Sequence, residues 1–520
     1  MVETRARTGP ATDLRPRLAE LVAALSLATD LGLGQAMEHG LRGCLIATRL
    51  AERAGLDEAA VDAVYWVSLL AMVGCTADSF EVHRIFGDDL LLREGMFGAD
   101  PSQLGLARYF LSRAGSDGGA LRRVREGARL LATGMRSVAE ALTTHCQVTG
   151  LLAERLGFGP EVRDPLQHAF ARWDGKGLPP GVGGDAIALP ARIMTIANYV
   201  EVAHRLHGIR HGIELARRHA GLTMDPDLVG VLEADAGEIL GDLDDNPWEA
   251  VIAAEPGARP RLAAAEVDAV LAALGDFSDL KSPWFTGHSR RVAELVEAAA
   301  RRSGLPEGDV VSLRRAAFVH GLGRAGVPNT IWDKPGPLTR SERERVQLYP
   351  YYTDRILRRG SLAALADLAS AGHERLDGSG YPRGLGASAM GATARLLAAA
   401  KLYDTLISAR PYRDALTPEA AAHELGEAAR GGRLDAEAVD AVLAATGHHG
   451  RRRATAPAGL TPREVEVLRL IATGCTTAEV AHRLQITQKT ADHHIQHIYA
   501  KIDTSNRSAA TLFAMQHGLL

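Results

Sequence analysis

Residues 373–382 read His-Glu-Arg-Leu-Asp-Gly-Ser-Gly-Tyr-Pro, and the pattern of this stretch occurs earlier in the chain as well. Asp377, Gly378, Gly380, Pro382, Gly384 and Arg395 repeat, at one constant offset, Asp174, Gly175, Gly177, Pro179, Gly181 and Arg192. A second constant offset links His288, Arg291, Gly304, Leu305 and Gly323 to His39, Arg42, Gly55, Leu56 and Gly74. Ordered matches of this kind mean that one structural unit is used twice. Because the two offsets differ, the first copy carries extra residues between Cys75 and Glu140, and the Gly-, Ser- and Arg-rich stretch 100–119 marks the insertion.

Between the matched points the periodicity is helical. In Ser289–Arg302 the residues Val292, Leu295, Val296 and Ala299 form an i, i+3, i+4, i+7 stripe, and 416–428 and 435–446 show the same Ala-rich spacing. Strand signals are scarce, which predicts an all-α fold. The chain of 520 residues is too long for one core. The organisation expected is a first copy over 15–250 with its insertion around 76–140, a second copy over 262–450, a linker at 451–459 and a separate domain over 460–520. The linker reads Arg-Arg-Arg-Ala-Thr-Ala-Pro-Ala-Gly and has no periodicity.

The formal charge of -4 supplies no global basic field, so any nucleic-acid contact must come from a local patch. The four cysteines are scattered and form no CxxC pair, as suits a reducing compartment. The N-terminus lacks an apolar core of signal-peptide length, and no stretch reaches the roughly 18 uninterrupted apolar residues that span a bilayer. A cytoplasmic protein with no membrane partner is expected.

From Leu460 the character changes. Thr461-Pro462-Arg463-Glu464 is a capping box with proline at the first helical position, followed by the apolar face Val465, Leu468, Ile471 and a stop at Gly474. Thr476 and Glu479 form a second box for a short helix ending near Leu484. Thr487 caps a third helix to about Ile502, and Ser505 is expected to cap a fourth whose Ala509, Leu512 and Phe513 return onto the other three. Two helices joined by a tight turn, the second polar on one face, form a helix-turn-helix with the second as reader. The run LTPREVEVLRLIATGCTTAEVAHRLQITQKTADHHIQHIYAKI resembles the LuxR-type DNA-binding domain along its whole length. The resemblance places base-facing sites on Asp492, His493 and Gln496, and backbone-contacting or positioning sites on Lys489, Thr490, His494 and Lys501. Asp492 departs from the usual basic or small residue; an acid in the groove accepts from a cytosine amino group but is repelled by phosphate. The same four helices could instead serve as a dimerisation module, with His493, His494 and His497 a solvated face.

The 373–382 run resembles the HD-GYP phosphodiesterases. That resemblance implies two or three metal ions held by histidines and aspartates, with one aspartate bridging two ions so that a shared hydroxide attacks phosphorus. The family's ligand positions fall in the second copy on His288, His320, Gly321, Tyr349, Gly372, His373 and Lys401, and in the first on His39, Ala71, Met72, His145, Ala169, Phe170 and Asn198. Gly321 lacks the bridging carboxylate, and Lys401 puts a cation where a carboxylate belongs. At about 4 Å and an effective dielectric near 20, one such charge pair is worth roughly 4 kcal/mol, and here it has changed sign. The first copy is expected to be structural, with Met72 and Phe170 filling the former metal cavity. His288, His320 and His373 read either as vestigial ligands of a residual divalent metal or as buried polar residues. The Asp377–Pro382 loop reads as a rigid turn or a contact surface, and Glu374, Arg375 and Arg383 as solvated, ion-paired or partner-binding residues.

Together these readings imply two HD-like helical domains in tandem followed by a four-helix LuxR-type domain. They imply a DNA-binding homodimeric regulator whose HD-GYP-like body senses or dimerises, without a catalytic residue and with no cofactor expected beyond at most one divalent metal. The alternative is a metal-dependent phosphodiesterase for cyclic di-GMP or a related phosphoester, or a module that binds such a nucleotide or a protein ligand without hydrolysis.

Overall fold

The computed structural model describes residues 15–446, apart from 101, 117, 134–135 and 258, and residues 457–520. All regular structure among these residues is helical, with only isolated β-bridges such as Phe170 to Leu178 and Asp377 to Gly386. The first six residues of the expected linker, 451–456, lie outside the described residues, and Pro457–Gly459 forms a short 3-10 turn.

The two copies use the same elements in the same order. In the first, helix His39–Arg53 packs against Glu58–Leu70 and Leu189–His207; in the second, His288–Arg302 packs against Glu307–Val319 and Ala392–Ile407. Both leading helices start after a residue in the left-handed region, Glu38 at φ 77° and Gly287 at φ 70°. The stripe Val292, Leu295, Val296, Ala299 is buried as its spacing requires. The 416–428 and 435–446 stretches become helices Pro418–Arg430, capped by Thr417, and Ala436–Thr446. The segment Glu58–Thr76 is long and apolar enough to cross a bilayer, but 78% of its apolar window is buried inside the protein.

The cores do not follow the copy boundary. One cluster joins Leu25, Ile46, Trp66 and Ile196 of the first copy to Phe277, Val319, Leu322 and Ile356 of the second. A second cluster, with Val296, Leu313, Leu397, Leu425 and Val442, belongs to the second copy alone. The insertion adds helices Ser79–Phe86, Asp89–Glu94, Gln103–Arg113 and Ala120–Thr133, with a satellite core around Phe86 and Leu130.

The C-terminal helices are Pro462–Ala472, Thr477–Leu484, Gln488–Lys501 and Arg507–Gln516. Thr461 and Thr476 make reciprocal capping boxes with Glu464 and Glu479, and Thr487 accepts from the Thr490 amide. The fourth helix departs from expectation twice. Its cap is Asn506, which accepts from the Ala509 amide, while Ser505 Oγ donates to Gln147 Oε1 at 2.9 Å in the body. A side chain at the next position reaches the helix N-terminus, so Ser505 is free to bond outward.

The faces of this helix also divide. Ala510 and Ala514 join the tail core with Leu468, Val480 and Ile498, whereas Ala509, Leu512 and Met515 belong to the core cluster that the two copies share. The tail is therefore docked on the body by apolar burial, and polar contacts fix its register. Ser508 Oγ donates to Ala77 O at 2.8 Å, and Thr286 Oγ1 donates to Ala472 O at 3.2 Å. Gly474, at φ 87°, ends the first tail helix and lets Pro283 come so close that an added Cβ would stand 3.0 Å from the proline ring.

Candidate functional site

The second copy gathers its histidines around two basic groups. His288 Nδ1 stands 2.5 Å from Asp404 Oδ2, and Arg291 Nε donates to Asp404 Oδ1 at 2.7 Å. Burial opposes ionisation of Asp404, yet Arg291 and His288 hold its carboxyl well below the usual carboxylate range. Asp404 thus accepts a hydrogen bond from the Nδ1–H of His288, and the His288 Nε2 lone pair faces inward. His320 Nδ1 donates to Ala317 O at 2.6 Å, so its Nε2 faces inward too, 3.2 Å from His288 Nε2. Burial, with Arg324 next, drives His320 well below the ordinary imidazole range and keeps it an acceptor. Two imidazole lone pairs converge here as they do on a metal, but the cation that meets the one on His320 is a guanidinium. Arg324 Nη2 lies 3.1 Å from His320 Nε2, Nη1 donates to Asp279 Oδ1 at 2.9 Å, and the group rests 4.4 Å from the Phe285 ring centre.

The second basic group is Lys401, 3% exposed. Its Nζ donates to Tyr349 OH at 2.5 Å and also meets His373 Nε2. Burial pushes its pKa well below 10.5, and Arg324, Arg375 and Arg410 push the same way. The positions left by missing ligands are occupied by these side chains. A Cβ on Gly321 would meet Arg324 Nη1 and Ser278 Oγ at 2.9 Å, and one on Gly372 would meet Lys401 Cδ at 2.7 Å. His288 and His320 are therefore brought together, while His373 is tied to Lys401 and Tyr349. Among the described residues no cluster of three or more His, Cys, Asp or Glu side chains has a metal-holding arrangement.

The 373–382 loop is pinned to its own copy. The Tyr381 ring stacks on His373 with centroids 4.5 Å apart, and the Tyr381–Pro382 peptide is cis, as is Leu178–Pro179. Glu374 is fully buried and accepts from the Arg383 and Leu385 amides, both at 2.8 Å. Arg383 bonds to Asp367 at 2.5 Å. Glu374 thus acts inside the loop, and Arg383 ties it to helix Ala363–Ser370.

The first copy keeps the buttress but loses the rest. His39 Nδ1 lies 2.5 Å from Glu201 Oε2, and Arg42 Nε donates to Glu201 Oε1 at 2.7 Å. Burial opposes, but His39 and Arg42 hold Glu201 down to about 2. Sequence reasoning missed this acidic partner in both copies, although Glu201 and Asp404 stand at the same offset as Arg192 and Arg395. His145 turns its Nε2 to Ala71 O at 2.6 Å, and burial pushes it down to about 4. Met72 and Phe170 were expected to fill a former metal cavity. They line a cavity of about 320 Å³ shared with Ala169 and Asn198. The insertion contributes Phe86 and Phe110 to its lining.

In the tail, the residues assigned to DNA stand on one helix. Lys489, Thr490, Asp492, His493 and Gln496 are exposed and His494 is half-buried, while Ala491, Ile495 and Ile498 anchor the opposite face. His493 and His497 rings lie 4.0 Å apart. Lys501 Nζ donates to Glu464 Oε2 at 2.7 Å and to Gly459 O at 3.1 Å, which orients the reading helix against the first tail helix. Burial works against Glu464, but Lys501 and Thr461 hold it down to about 2.

Comparison with known proteins agrees with this architecture. The HD domain family matches residues 273–438, and the family described as bacterial regulatory proteins, luxR family, matches residues 458–514. The chain belongs to the HD-GYP group of HD-domain proteins and carries a luxR-family helix-turn-helix at its C-terminal end. It is 31% identical over 405 residues to the 3'3'-cGAMP-specific phosphodiesterase 3 of Vibrio cholerae, covering 77% of this chain and 88% of that protein. It is 37% identical to the cyclic di-GMP phosphodiesterase response regulator RpfG of Xanthomonas campestris over 29% of this chain and 41% of that one. The crystal structure of the Vibrio cholerae cyclic GMP-AMP specific phosphodiesterase V-cGAP3 superposes with a TM-score of 0.57 at 27% identity, over 83% of this chain and 98% of that one. That correspondence places the HD fold over most of the body.

Proposed function

We propose that this chain is a cytoplasmic, dimeric, DNA-binding transcriptional regulator whose HD-GYP-like body senses or dimerises and has given up metal-dependent hydrolysis. One observation carries the reading. Lys401 and Arg324 stand at the histidine nitrogens that a divalent ion would need, with Gly321 and Gly372 where a ligand side chain would have to enter. These residues do not fit a binuclear centre. The Arg324 guanidinium at His320 repels a divalent ion, Lys401 occupies the space at His373, and among the described residues no carboxylate bridges.

The luxR-family match supports DNA binding by the tail, and the exposed face Lys489, Asp492, His493, Gln496 supplies the reading surface. Paired half-sites read by a two-fold dimer follow from such a helix. The test is a footprinting and gel-shift search across the gene's own upstream region with the full chain. A protected pair of half-sites that Gln496→Ala redistributes supports the reading; no sequence-specific protection with the folded protein sinks it.

A second reading has its own support, because the Vibrio cholerae relative is named for hydrolysing 3'3'-cGAMP. On that reading the body binds or cleaves a cyclic dinucleotide. Incubation of the full chain with 3'3'-cGAMP and cyclic di-GMP in added manganese, together with elemental analysis, separates the two. Turnover that tracks bound metal establishes the enzyme; calorimetric binding without turnover establishes a nucleotide-binding body.

A further inference from the structure

The first copy's cavity matches neither role so far discussed. Its walls are apolar on nearly every side, with Val82, Phe86, Phe110, Val138 and Leu142 facing Met72 and Phe170. At about 320 Å³ it is roughly twice the size of an engineered apolar cavity of about 150 Å³ that stays dry and takes up benzene. Its polar groups are few, and the charged ones are mostly matched: Asp78 pairs with Arg93, and Arg172 holds Asp174 through Nη2 at 2.8 Å. Thr223 Oγ1 is different, being buried on this wall without a hydrogen-bond partner. Asn198 shares the lining and donates only to the weak acceptor Met194 Sδ, at 2.9 Å. Lys176 is exposed and completes the solvent-facing side.

We propose that this cavity is a binding site for a small, mainly apolar molecule carrying one hydrogen-bond-accepting end, such as a carboxylate or carbonyl. The body of the ligand lies among the phenylalanines, and its polar end takes the Thr223 hydroxyl and the Asn198 amide, with Lys176 near the opening. A buried hydroxyl with no partner is costly, and a ligand acceptor removes that cost. Convergence of a few donors in an otherwise apolar concavity is the usual make-up of a small-molecule site. A cyclic dinucleotide does not suit it, because two phosphate charges would lose their hydration against hydrocarbon. The cavity also adjoins the tail. Helix Arg136–Arg155 sets Val138 and Leu142 on the cavity and Gln147 on the tail, where Gln147 Oε1 accepts from Ser505 Oγ at 2.9 Å.

The proposal deepens the sensor reading of the body, but the experiment is read without DNA, so its failure and a failure of DNA binding are distinguishable. Full-length protein is titrated with 2-naphthoate and with decanoate by calorimetry and, for naphthoate, by fluorescence. Saturable binding at one equivalent per chain is expected for at least one probe. Ala141→Phe, which places a ring in the cavity, is expected to abolish it while preserving the helical circular dichroism. Thr223→Val is expected to weaken the acid about three- to tenfold and to leave uncharged naphthalene unchanged, as loss of one hydrogen bond predicts. The absence of saturable binding for both probes overturns the proposal. So does binding that neither variant alters. If Ala141→Phe fails to fold, the acid-versus-naphthalene difference in Thr223→Val decides by itself.

Discussion

Replacing Lys401 with methionine tests the account of the second copy's centre most directly. Lys401 is 3% exposed, and its ammonium has as neighbours a phenol, an imidazole and, further out, the guanidinium groups of Arg324, Arg375 and Arg410. Burial is the largest cause, and the arginines add to it, so the folded-state pKa lies well below 10.5. The sign follows by linkage. Between the depressed folded value and 10.5 the unfolded chain binds a proton that the folded chain does not, so stability falls as pH falls through that window. One such group changes stability by up to about 1.4 kcal/mol per pH unit. Below the folded value both states are protonated and the slope disappears.

Methionine has similar length, no charge and no titration. Below 10.5 the buried Lys401 costs the folded state either a desolvated ammonium or a lost proton, and exchange for an apolar chain removes a cost on the order of 1–4 kcal/mol near neutral pH. Against this stand the bonds to Tyr349 and His373, at about 0.5–1.5 kcal/mol each. These contributions nearly balance, and pH separates them: relative to the parent, the variant should gain stability as pH falls from 10 towards 7.5, by up to about 1.4 kcal/mol per pH unit above the folded-state pKa of Lys401. Urea unfolding followed by circular dichroism from pH 7.5 to 10, a range above imidazole titration, reads the difference between the two proteins. Parallel pH profiles would refute the picture of a desolvated lysine standing in the metal position.

Three further outcomes are expected. Gly321→Asp alone should not take up manganese by elemental analysis, because the new carboxylate meets Arg324 Nη1 before it meets an ion; stoichiometric metal in that variant would show that Arg324 yields. Leu512→Ala removes a buried side chain from the tail–body contact, at a cost of about 2–5 kcal/mol. Hydrogen exchange should then quicken in helix Arg507–Gln516 and around Ala77 before it quickens in Pro462–Ala472, and uniform protection would mean that the contact contributes little. On an identified operator, Lys489→Ala should lower affinity for all sequences and reduce the salt slope by about one, whereas Gln496→Ala should relax preference at one base pair by about 1–3 kcal/mol. The reverse pattern would mean that the reading face has been misassigned.

Local order was legible in the residues themselves. Capping boxes at Thr461 and Thr476 and the stripe Val292, Leu295, Val296 and Ala299 specify helices through neighbours a few positions away, and the structure forms those helices. The doubled pattern around Asp174 and Asp377 likewise shows two copies, because repetition is a property of order along the chain. The all-α class, the HD body and the luxR-family tail could all be read at this level. Asn506 and Ser505 mark its limit: both are good caps and both donate to Gln147, far away in sequence, and only the folded backbone makes Asn506 the one that accepts from the Ala509 amide.

What only the tertiary structure decided are the contacts between residues remote in sequence. The sequence shows that Gly321 and Lys401 depart from a metal-ligand pattern. It does not show that Arg324 enters the space beside Gly321, or that Lys401 reaches His373 and Tyr349. Asp404 as the buttress of His288, the fourth tail helix shared between two cores, and the cavity that the insertion helps to line are of the same kind. Helix caps and periodicity are set by short-range backbone and side-chain chemistry, so the sequence carries them. Which charges meet, and whether a vacated space fills or stays open, depends on how distant segments pack, and that becomes definite only when the chain is folded.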